Sequence, residues 1–308
     1  MGRRNKKGRD ITGIVIVDKP TGRSSNHVLQ QVKRLFDAKK AGHTGALDPL
    51  ATGVLPICLG EATKVSSYLL NADKRYRVTC QLGAITDSGD SDGNILSTSP
   101  VPIFTEQDLT KLLPDFMGEQ DQVPPMFSAL KYQGQPLYKL ARQGIEVERK
   151  SRQITIYDIQ LLSVTADSFT LDVRCSKGTY IRTLVEDISH ALGSGGHVIM
   201  LRRVEAAGYQ LGQAVTIEDL EHIAEQGVQQ LDNELLPAED ALPDWPSVIA
   251  TDDMVTALRF GQTIKVEQVF ESENVRLFDD KKQFIGLGEM SLQGIVAPKR
   301  VFVLPENG

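Results

Sequence analysis

The residues best suited to chemistry lie in one short loop, Ala41 to Pro56. Three glycines and two prolines among its 16 residues predict sharp reversals and positive φ angles rather than a helix. Its titratable side chains are His43 and Asp48, and apolar neighbours such as Leu47 can exclude water. A carboxylate in such a loop can attack covalently or stabilise a cationic sugar. The alternative is structural, with Asp48-Pro49 opening a turn or capping a helix.

A predicted helix beginning at Thr179 carries a second candidate, Arg182. Thr179 can cap this helix, and apolar residues recur at helical spacing from Ile181 to Leu192. Arg182 then falls in the first turn, where the helix dipole disfavours a cation. A carboxylate facing Arg182 would offset this cost, and Asp48 is our candidate. The alternative is an exposed arginine that binds phosphate.

Tyr76 is predicted to lie on the apolar face of a half-buried strand, because apolar and polar residues alternate from Tyr76 to Leu82. Other patterns predict strands at 14–17, 54–59, 154–164, 169–175 and 198–204, and helices at 62–70, 105–113, from Ser25 and from Thr216. The acidic segment Asp87–Gly93 lacks the first acid and the closing glutamate of a calcium loop, so we interpret it as a hydrophilic turn.

Two segments suggest how the chain is divided. The stretch from Pro124 to Arg152 mixes basic residues with aromatic ones, which fits looped or single-stranded RNA better than an ordinary surface excursion. An acidic, proline-containing stretch before residue 248 predicts a domain boundary, and the short strands with glycine turns after it predict a small β-barrel.

Composition excludes several classes of protein. The 308 residues contain no apolar run of membrane-spanning length, and the basic N-terminus lacks the apolar core of a signal peptide. The three cysteines lie far apart in apolar runs, which predicts buried reduced thiols in a cytoplasmic protein. No phosphate-binding glycine motif and no Cys/His cluster is present, so we expect catalysis by side chains alone, without cofactor or metal.

The net charge of −6 is unevenly distributed. The segment Glu218–Asp253 contains 11 acidic residues and no lysine or arginine, so all 34 basic residues lie elsewhere. Basic residues are concentrated near the N-terminus (Arg3, Arg4, Lys6, Lys7, Arg9) and in the 124–152 segment. Local basic patches attract phosphate even when the total charge is negative, so an RNA partner is compatible with this composition.

Five ordered motifs resemble the TruB family of tRNA pseudouridine synthases over essentially the whole chain. They are Val17-Asp18-Lys19-Pro20-Thr21-Gly22, His43-Thr44-Gly45-Ala46-Leu47-Asp48-Pro49, Lys74-Arg75-Tyr76, Lys177-Gly178-Thr179-Tyr180-Ile181-Arg182-Thr183-Leu184 and Leu201-Arg202-Arg203. Ala46 is a small departure, since relatives often carry threonine there. The resemblance implies an α+β fold, the pseudouridine synthase fold, with a mixed, largely antiparallel sheet flanked by helices. The implied domains are residues 1–247, with a T-loop-binding insertion at about 124–152, and an RNA-binding PUA-like β-barrel at 248–308.

The resemblance also implies an activity, the isomerisation of uridine 55 in the T-loop of tRNA to pseudouridine, with Asp48 as the essential carboxylate. An aspartate near its ordinary pKa of about 3.9 would be ionised at neutral pH. Whether Asp48 attacks C1′, attacks C6 or removes a ribose proton is left open. Among the remaining implied substrate contacts, Tyr76 and Tyr180 provide two aromatic rings and Leu201 provides an apolar wall. The resemblance further implies that His43 contacts or replaces a nucleotide and that Lys19 shapes the wall of the site.

Other functions remain to be weighed against the synthase. An RNA chaperone that remodels tRNA, with a merely structural Asp48 loop, is compatible with the synthase in one protein, because flipping a base already remodels the loop. A glycosidase is disfavoured, because we expect no second carboxylate near Asp48. A guide-RNA-dependent relative is disfavoured by the long basic insertion and the absence of lysine-rich tails. No pattern indicates a protein partner, so we expect a monomer.

Asp48→Asn distinguishes the enzyme from the chaperone. If Asp48 is the essential carboxylate, the variant forms no detectable pseudouridine when tRNA is digested and its nucleosides are analysed by mass spectrometry. Binding of tRNA, measured on the same preparation, serves as the control and should persist. Full retained activity would rule out the assignment of Asp48.

Overall fold

The computed structural model describes residues 8–302 as an α+β protein. Its strands form one large and one small sheet together with two short hairpins. In chain order the strands are β1 (Gly13–Lys19), β2 (Ala41–His43), β3 (Thr52–Leu59), β4 (Lys74–Leu82), β5 (Ala84–Thr86), β6 (Ile95–Thr98), β7 (Gly118–Gln122), β8 (Lys131–Tyr132), β9 (Gln135–Pro136), β10 (Arg152–Val164), β11 (Ser168–Cys175), β12 (Gly196–Ala206), β13 (Tyr209–Gln210), β14 (Ser247–Ala250), β15 (Ile264–Lys265), β16 (Asn274–Asp279), β17 (Phe284–Met290) and β18 (Ile295–Val301).

The helices are short and pack on the edges and one face of the sheets. They are α1 (Ser25–Leu35), α2 (Ser66–Asn71), α3 (Glu106–Leu112), α4 (Leu137–Ala141), α5 (Ile181–Ala191), α6 (Ile217–Gln226), α7 (Val228–Asp232) and α8 (Asp252–Arg259), with 3₁₀ turns at Gly60–Lys64, Leu113–Phe116, Leu211–Gln213 and Ala238–Ala241. Within residues 8–302, no helix combines the length and the hydropathy needed to cross a bilayer.

The large sheet has nine strands and is mostly antiparallel, as predicted. Its main order is β1-β3-β12-β4-β11-β10-β7, with β2 added to β3 and β13 added to β12. The β3–β12 pair is parallel, which makes the sheet mixed. Strand β1 is buried along nearly its whole length, because α1 and α6 cover one face and the C-terminal sheet covers the other. Burial on both faces explains why its sequence is a continuous apolar run rather than an alternating one.

The centre of the large sheet holds the principal core. Along β4 the residues alternate between buried and partly exposed, as the sequence predicted, and Tyr76 faces the core. The apolar stripe of α5 packs on this face with β4, β11 and α3. The three cysteines are buried and unpaired, and burial raises the pKa of each thiol to about 12.

Residues 247–301 form a second sheet of five strands, in the order β14-β16-β17-β18-β15. This curled sheet, closed on one side by α8, is the small C-terminal β-structure predicted from the glycine-punctuated strands. Its Phe284, Leu287 and Phe302 belong to an apolar cluster shared with β1 and β3. The division at residue 247 stays a prediction, because the two sheets share this cluster.

Three local predictions differ from the structure by a few residues. Ser24, not Ser25, caps α1, with its side chain accepting from the amide of His27. Tyr180, not Thr179, precedes α5, and no side chain caps that helix. The helix predicted at 62–70 is divided into a 3₁₀ turn and α2. Neighbouring residues can each carry a hydroxyl able to cap a helix, as Ser24 and Ser25 do. Residue type alone therefore does not specify at which residue the helix begins.

Gly53 permits the close approach of β3 to β12. It has φ +104°, and a Cβ added there would lie 2.1 Å from the carbonyl oxygen of Arg203. We expect Gly53→Ala to lower the free energy of unfolding by about 3 kcal/mol or more, because backbone strain and a backbone clash add together.

Gly208→Ala is the matched control for this prediction. Gly208 also has a positive φ, +81°, but a Cβ there would meet nothing within 4 Å. We expect Gly208→Ala to lower the free energy of unfolding by about 1 kcal/mol, from backbone strain alone. Thermal unfolding of both variants measures the difference, and equal losses would contradict the role assigned to the close approach.

Candidate active site

A buried guanidinium is the centre of the candidate site. Arg182, in the first turn of α5, has a side chain that is only 5% exposed, and its Nη2 lies 3.1 Å from Asp48 Oδ2. Its Nη1 lies 3.4 Å from Oδ2 of Asp90, which is equally buried. The same guanidinium donates to the carbonyl oxygens of Ser88 and of Phe127, the latter at 2.7 Å. The predicted pairing of Arg182 with Asp48 is therefore present, and Arg182 is not an exposed phosphate ligand.

Contacts from α1 and β12 hold the Asp48 loop in place. The hydroxyl of Ser25, at the start of α1, accepts from the amide of Leu47 at 2.7 Å and donates to its carbonyl at 3.1 Å. Arg203 on β12 donates to the carbonyl oxygens of Gly45, at 3.2 Å, and Val54, at 2.7 Å. Arg203 thereby fastens the loop at both of its ends.

Lys19, the last residue of β1, also supports the Asp48 loop. It is fully buried, and its Nζ donates to the carbonyl oxygens of Pro49 and Pro20 at 3.3 and 2.9 Å. Burial lowers the pKa of Lys19 to about 8, an effect that the charge of Asp48 opposes. Lys19 was grouped with the substrate contacts in the sequence analysis, but it lines neither of the cavities described below. Its observed contacts support the loop, and a contact of Lys19 with substrate stays a prediction.

Asp48 and Arg182 lie where two cavities meet. The smaller cavity has a volume of about 280 Å³ and contains Tyr76, Tyr180 and Leu201 in its wall. The larger has a volume of about 830 Å³ and extends from the start of α1 to α4. Both are lined by the Asp48 loop, by Arg182 and by Ser128 and Ala129. The smaller cavity suits one flat base, and the larger suits the chain that carries it.

The smaller cavity is apolar on its walls and cationic at one end. Tyr76 and Leu201 are buried, whereas Tyr180 is half-buried, with the guanidinium of Arg152 5.5 Å from the centre of its ring. Arg203 and Lys74 also line it, both are buried, and within residues 8–302 no carboxylate lies within 4 Å of either cation. Burial, together with the charge of Arg203, lowers the pKa of Lys74 to about 8.

Burial also changes the pKa of the acids around the site. It raises the pKa of Asp48, against the opposing charge of Arg182, and the charge of Asp90 raises it further. The sequence analysis assumed an ordinary value for Asp48, and the structure corrects this. Burial likewise raises the pKa of Tyr76. Tyr76 is therefore a hydrogen-bond donor in this setting and a poor base.

His43 lies in the wall of the larger cavity, away from the smaller one. Its Nδ1 is buried, and no described residue provides a hydrogen-bond partner for it. Burial lowers its pKa, and the charge of Arg203 lowers it further, so the ring is neutral at neutral pH. A neutral imidazole with an unsatisfied ring nitrogen suits a contact to a ligand better than proton transfer to or from Asp48.

Asp90 and Arg203 are the functional residues that the sequence analysis missed. The Asp87–Gly93 segment was interpreted as a hydrophilic turn, yet Ser88 and Asp90 are buried and face Arg182. The statement that no second carboxylate lies near Asp48 was therefore wrong, since Asp90 shares its arginine. Asp90 is committed to Arg182 and to the hydroxyl of Ser88, which donates to its Oδ1 at 2.5 Å. Asp90 itself is therefore not free for the paired-carboxylate chemistry of a glycosidase.

The insertion forms the far wall of the larger cavity. Its Phe127, Tyr138 and Arg142 line that cavity, with the guanidinium of Arg142 5.7 Å from the ring centre of Tyr138. Of the basic N-terminal group, Arg3 to Lys7 lie outside the described residues, and Arg9 pairs with Asp232. Across residues 8–302, no three His, Cys, Asp or Glu side chains are grouped so that they could hold a metal ion.

Comparison with known proteins gives consistent matches along the chain. The model described as "TruB family pseudouridylate synthase (N terminal domain)" matches residues 33–181. The model "tRNA pseudouridylate synthase B C-terminal domain" matches residues 182–243, and "Pseudouridine synthase II TruB, C-terminal" matches residues 246–302. A protein of Nitrosococcus oceani named tRNA pseudouridine synthase B is 52% identical over 298 residues, which cover 97% of each chain. A protein of the same name from Shewanella sp. MR-4 is 51% identical, covering 99% of this chain and 98% of its own.

Solved structures share the fold. A chain in a crystal structure of a Cbf5-Nop10-Gar1 complex is 26% identical, with a TM-score of 0.71 over 94% of this chain and 85% of that chain. A chain in a structure of an H/ACA RNP bound to a substrate RNA has a TM-score of 0.72 at 23% identity, covering 99% and 92%. These likenesses confirm the predicted fold class.

The raised pKa of Asp48 predicts a pH-dependent stability. The folded protein binds this proton more tightly than the unfolded chain, so ionisation of Asp48 costs stability as the pH rises from about 4 through the folded-state pKa. We expect Asp48→Asn to be more stable than the parent at pH 7.5, by a few tenths of a kcal/mol, because solvent screens a side chain that is 41% exposed. Urea unfolding at pH 7.5 and at pH 4 measures the effect.

The gain should shrink as the pH falls through the folded-state pKa towards about 4, because the folded carboxyl is then increasingly protonated. Asp10→Asn, which removes an exposed carboxylate, controls for the change in net charge. A variant less stable than the parent at pH 7.5 would show that the attraction of Arg182 outweighs the burial of Asp48.

Proposed function

Because the chain belongs to the TruB family of pseudouridine synthases, which are isomerases, we propose that it converts uridine 55 in the T-loop of tRNA to pseudouridine, with Asp48 as the essential carboxylate. One observation carries this proposal: the Asp48–Arg182 pair lies where a base-sized cavity opens into a larger cleft. A ribose at this junction would present its C1′ to Asp48, with the base in the smaller cavity. The relatives named tRNA pseudouridine synthase B support tRNA as the substrate.

The reaction is an isomerisation in which atoms are conserved. The N1–C1′ bond breaks, the base rotates, a C5–C1′ bond forms, C5 loses a proton and N1 gains one. The charge of Arg182 favours the ionised form of Asp48 and so opposes the effect of burial. An ionised carboxylate at the junction can add to the substrate or stabilise a cationic sugar, and fixed charges in a shielded site act more strongly than in water.

The cationic end of the smaller cavity supports this chemistry. When the N1–C1′ bond breaks heterolytically, the electron pair remains on the base, which becomes an anion. Lys74 and Arg203 line the cavity without a nearby carboxylate, so their charge is available to stabilise that anion. We therefore assign these two residues an electrostatic role in the departure of the base.

The walls of the smaller cavity would retain the detached base. Tyr76, Tyr180 and Leu201 provide flat and apolar surfaces of the type that hold flipped bases. Retention is essential to the reaction, because water reaching C1′ while the base is detached would leave an abasic site. The proposed route therefore requires base flipping out of the T-loop stack, at a cost of a few kcal/mol.

The larger cavity and the insertion would bind the rest of the T-loop. His43 lines this cavity, and Tyr138 with Arg142 provides a ring and a charge for stacking and phosphate contact. The C-terminal sheet, proposed as a PUA-like RNA-binding domain, would add contacts to the tRNA backbone. We propose a cytoplasmic monomer that needs no protein partner, although the solved Cbf5 structure contains Nop10 and Gar1.

Mapping the modified position in a defined substrate tests the proposal. With an unmodified tRNA transcript, we expect about one pseudouridine per molecule, located at position 55 by mass spectrometry of nuclease fragments. A transcript with cytidine at position 55 should acquire none, and one with cytidine at position 54 should still be modified. Pseudouridine at another position, or its appearance in the position-55 cytidine transcript, would contradict the proposed target.

A further inference from the structure

The insertion leaves the sheet and returns to it at a single residue pair. Gln122 is the last residue of β7, Arg152 is the first residue of β10, and the two lie opposite each other in the antiparallel ladder. The 29 residues between them include β8, β9 and α4. Gln122 and Arg152, the hinge pair, are therefore the covalent connections between the insertion and the sheet.

The side chain of Gln122 is committed to the backbone of one residue, Tyr180. Its Nε2 donates to the carbonyl oxygen of Tyr180 at 3.0 Å, and its Oε1 accepts from the amide of Tyr180 at 2.7 Å. Gln122 is buried, so neither bond is exchanged readily for water. A side-chain amide is the group that supplies one donor and one acceptor in this arrangement.

Tyr180 needs this support because it begins α5 without a side-chain cap. The residue that follows by two positions is Arg182, so the orientation of the Tyr180 backbone also sets the first turn that carries the guanidinium. A lost hydrogen-bond partner at a buried backbone group is costly, and the turn would shift to find another. The position of the Tyr180 ring in the cavity would shift with it.

Two further contacts join the insertion to the same turn. The guanidinium of Arg152, the other half of the hinge pair, lies 5.5 Å from the centre of the Tyr180 ring. The carbonyl oxygen of Phe127, early in the insertion, accepts from Arg182 at 2.7 Å. Both ends of the insertion thus contact the turn that carries Tyr180 and Arg182.

We propose that Gln122 is a positioning residue for the isomerisation, which fixes the Tyr180 backbone at the hinge and so aligns the Tyr180 ring and Arg182 with a base delivered by RNA bound to the insertion. This inference rests on the proposed function. It assigns to Gln122 an effect on the chemical step, exerted through Tyr180, rather than a contact with RNA.

Gln122→Glu is the sharpest test, because it keeps the shape of the side chain and the acceptor for the Tyr180 amide. The ionised carboxyl cannot donate to the Tyr180 carbonyl oxygen and repels it. We expect the single-turnover rate of pseudouridine formation at pH 8 to fall about tenfold, since small misplacements of reacting groups cost one to two orders of magnitude. The Kd for tRNA should stay within about twofold.

Gln120→Glu is the matched control. Gln120 lies on the same strand, and its Nε2 also donates to a main-chain carbonyl oxygen, that of Phe116, at 2.7 Å. The control makes the same change of charge and removes a hydrogen bond of the same type, away from the tyrosine. Its rate should match that of the parent, and thermal unfolding of both variants confirms that they are folded.

Lowering the pH provides a readout that a general loss of stability would not give. A protonated carboxyl can donate to the Tyr180 carbonyl as the amide does, so the rate of Gln122→Glu relative to the parent should recover as the pH falls from 8 to 6. Burial raises the pKa of the introduced carboxyl, whereas the charge of Arg152 opposes this.

Each outcome separates the inference from the proposed function. If the parent protein forms no pseudouridine, the proposed function fails. If the parent is active and Gln122→Glu matches it, or loses tRNA affinity instead of rate, or loses rate equally at pH 8 and pH 6, then Gln122 has no positioning role and the inference is overturned.

Discussion

The burial of one arginine is the constraint on which the rest of the site depends. Taking a guanidinium out of water costs several kcal/mol unless its donors are satisfied and its charge is balanced. Arg182 meets this requirement with the carboxylates of Asp48 and Asp90 and the carbonyl oxygens of Ser88 and Phe127. These partners come from three separate loops, so the charge of one residue determines how a helix, two loops and the insertion are arranged. Asp48 is the most exposed of its partners and is therefore the one able to meet a substrate.

The Asp48 loop is held mainly by polar contacts to its backbone rather than by a secondary-structure ladder. Ser25, Arg203 and Lys19 bind carbonyl or amide groups at Leu47, at both ends of the loop and at Pro49. A loop without regular structure leaves backbone groups unpaired, and buried ones need partners. Because residues on α1, β12 and β1 supply these partners, the loop has one conformation. This preorganisation places a carboxylate at the cavity junction before any substrate binds, which reduces the reorganisation needed for reaction.

The charge distribution reconciles an acidic protein with an RNA substrate. The net charge of −6 is dominated by the segment Glu218–Asp253, which lies away from both cavities. In the smaller cavity three cations, Lys74, Arg182 and Arg203, line the wall with one carboxylate, Asp48. The larger cavity is more acidic, with Arg142 and Arg182 beside four aspartates: Asp48, Asp87, Asp90 and Asp92. Because electrostatic attraction is local under physiological salt, the charge near the cleft matters more for binding than the total.

The sequence alone determined those features that depend on neighbouring residues. Alternation along β4 predicted which face Tyr76 occupies, and the dipole argument for Arg182 predicted a carboxylate partner, because strand period and helix position are local properties. The same reasoning misjudged Asp90, and it did not specify the contacts of Lys19 and Gln122. Whether a carboxylate 92 positions before an arginine faces it, whether a lysine opens into a cavity or supports a loop, and which backbone a glutamine amide binds all depend on distances across the fold. Only the tertiary structure decides these, because burial and ion pairing are set by residues that the chain brings together from far apart.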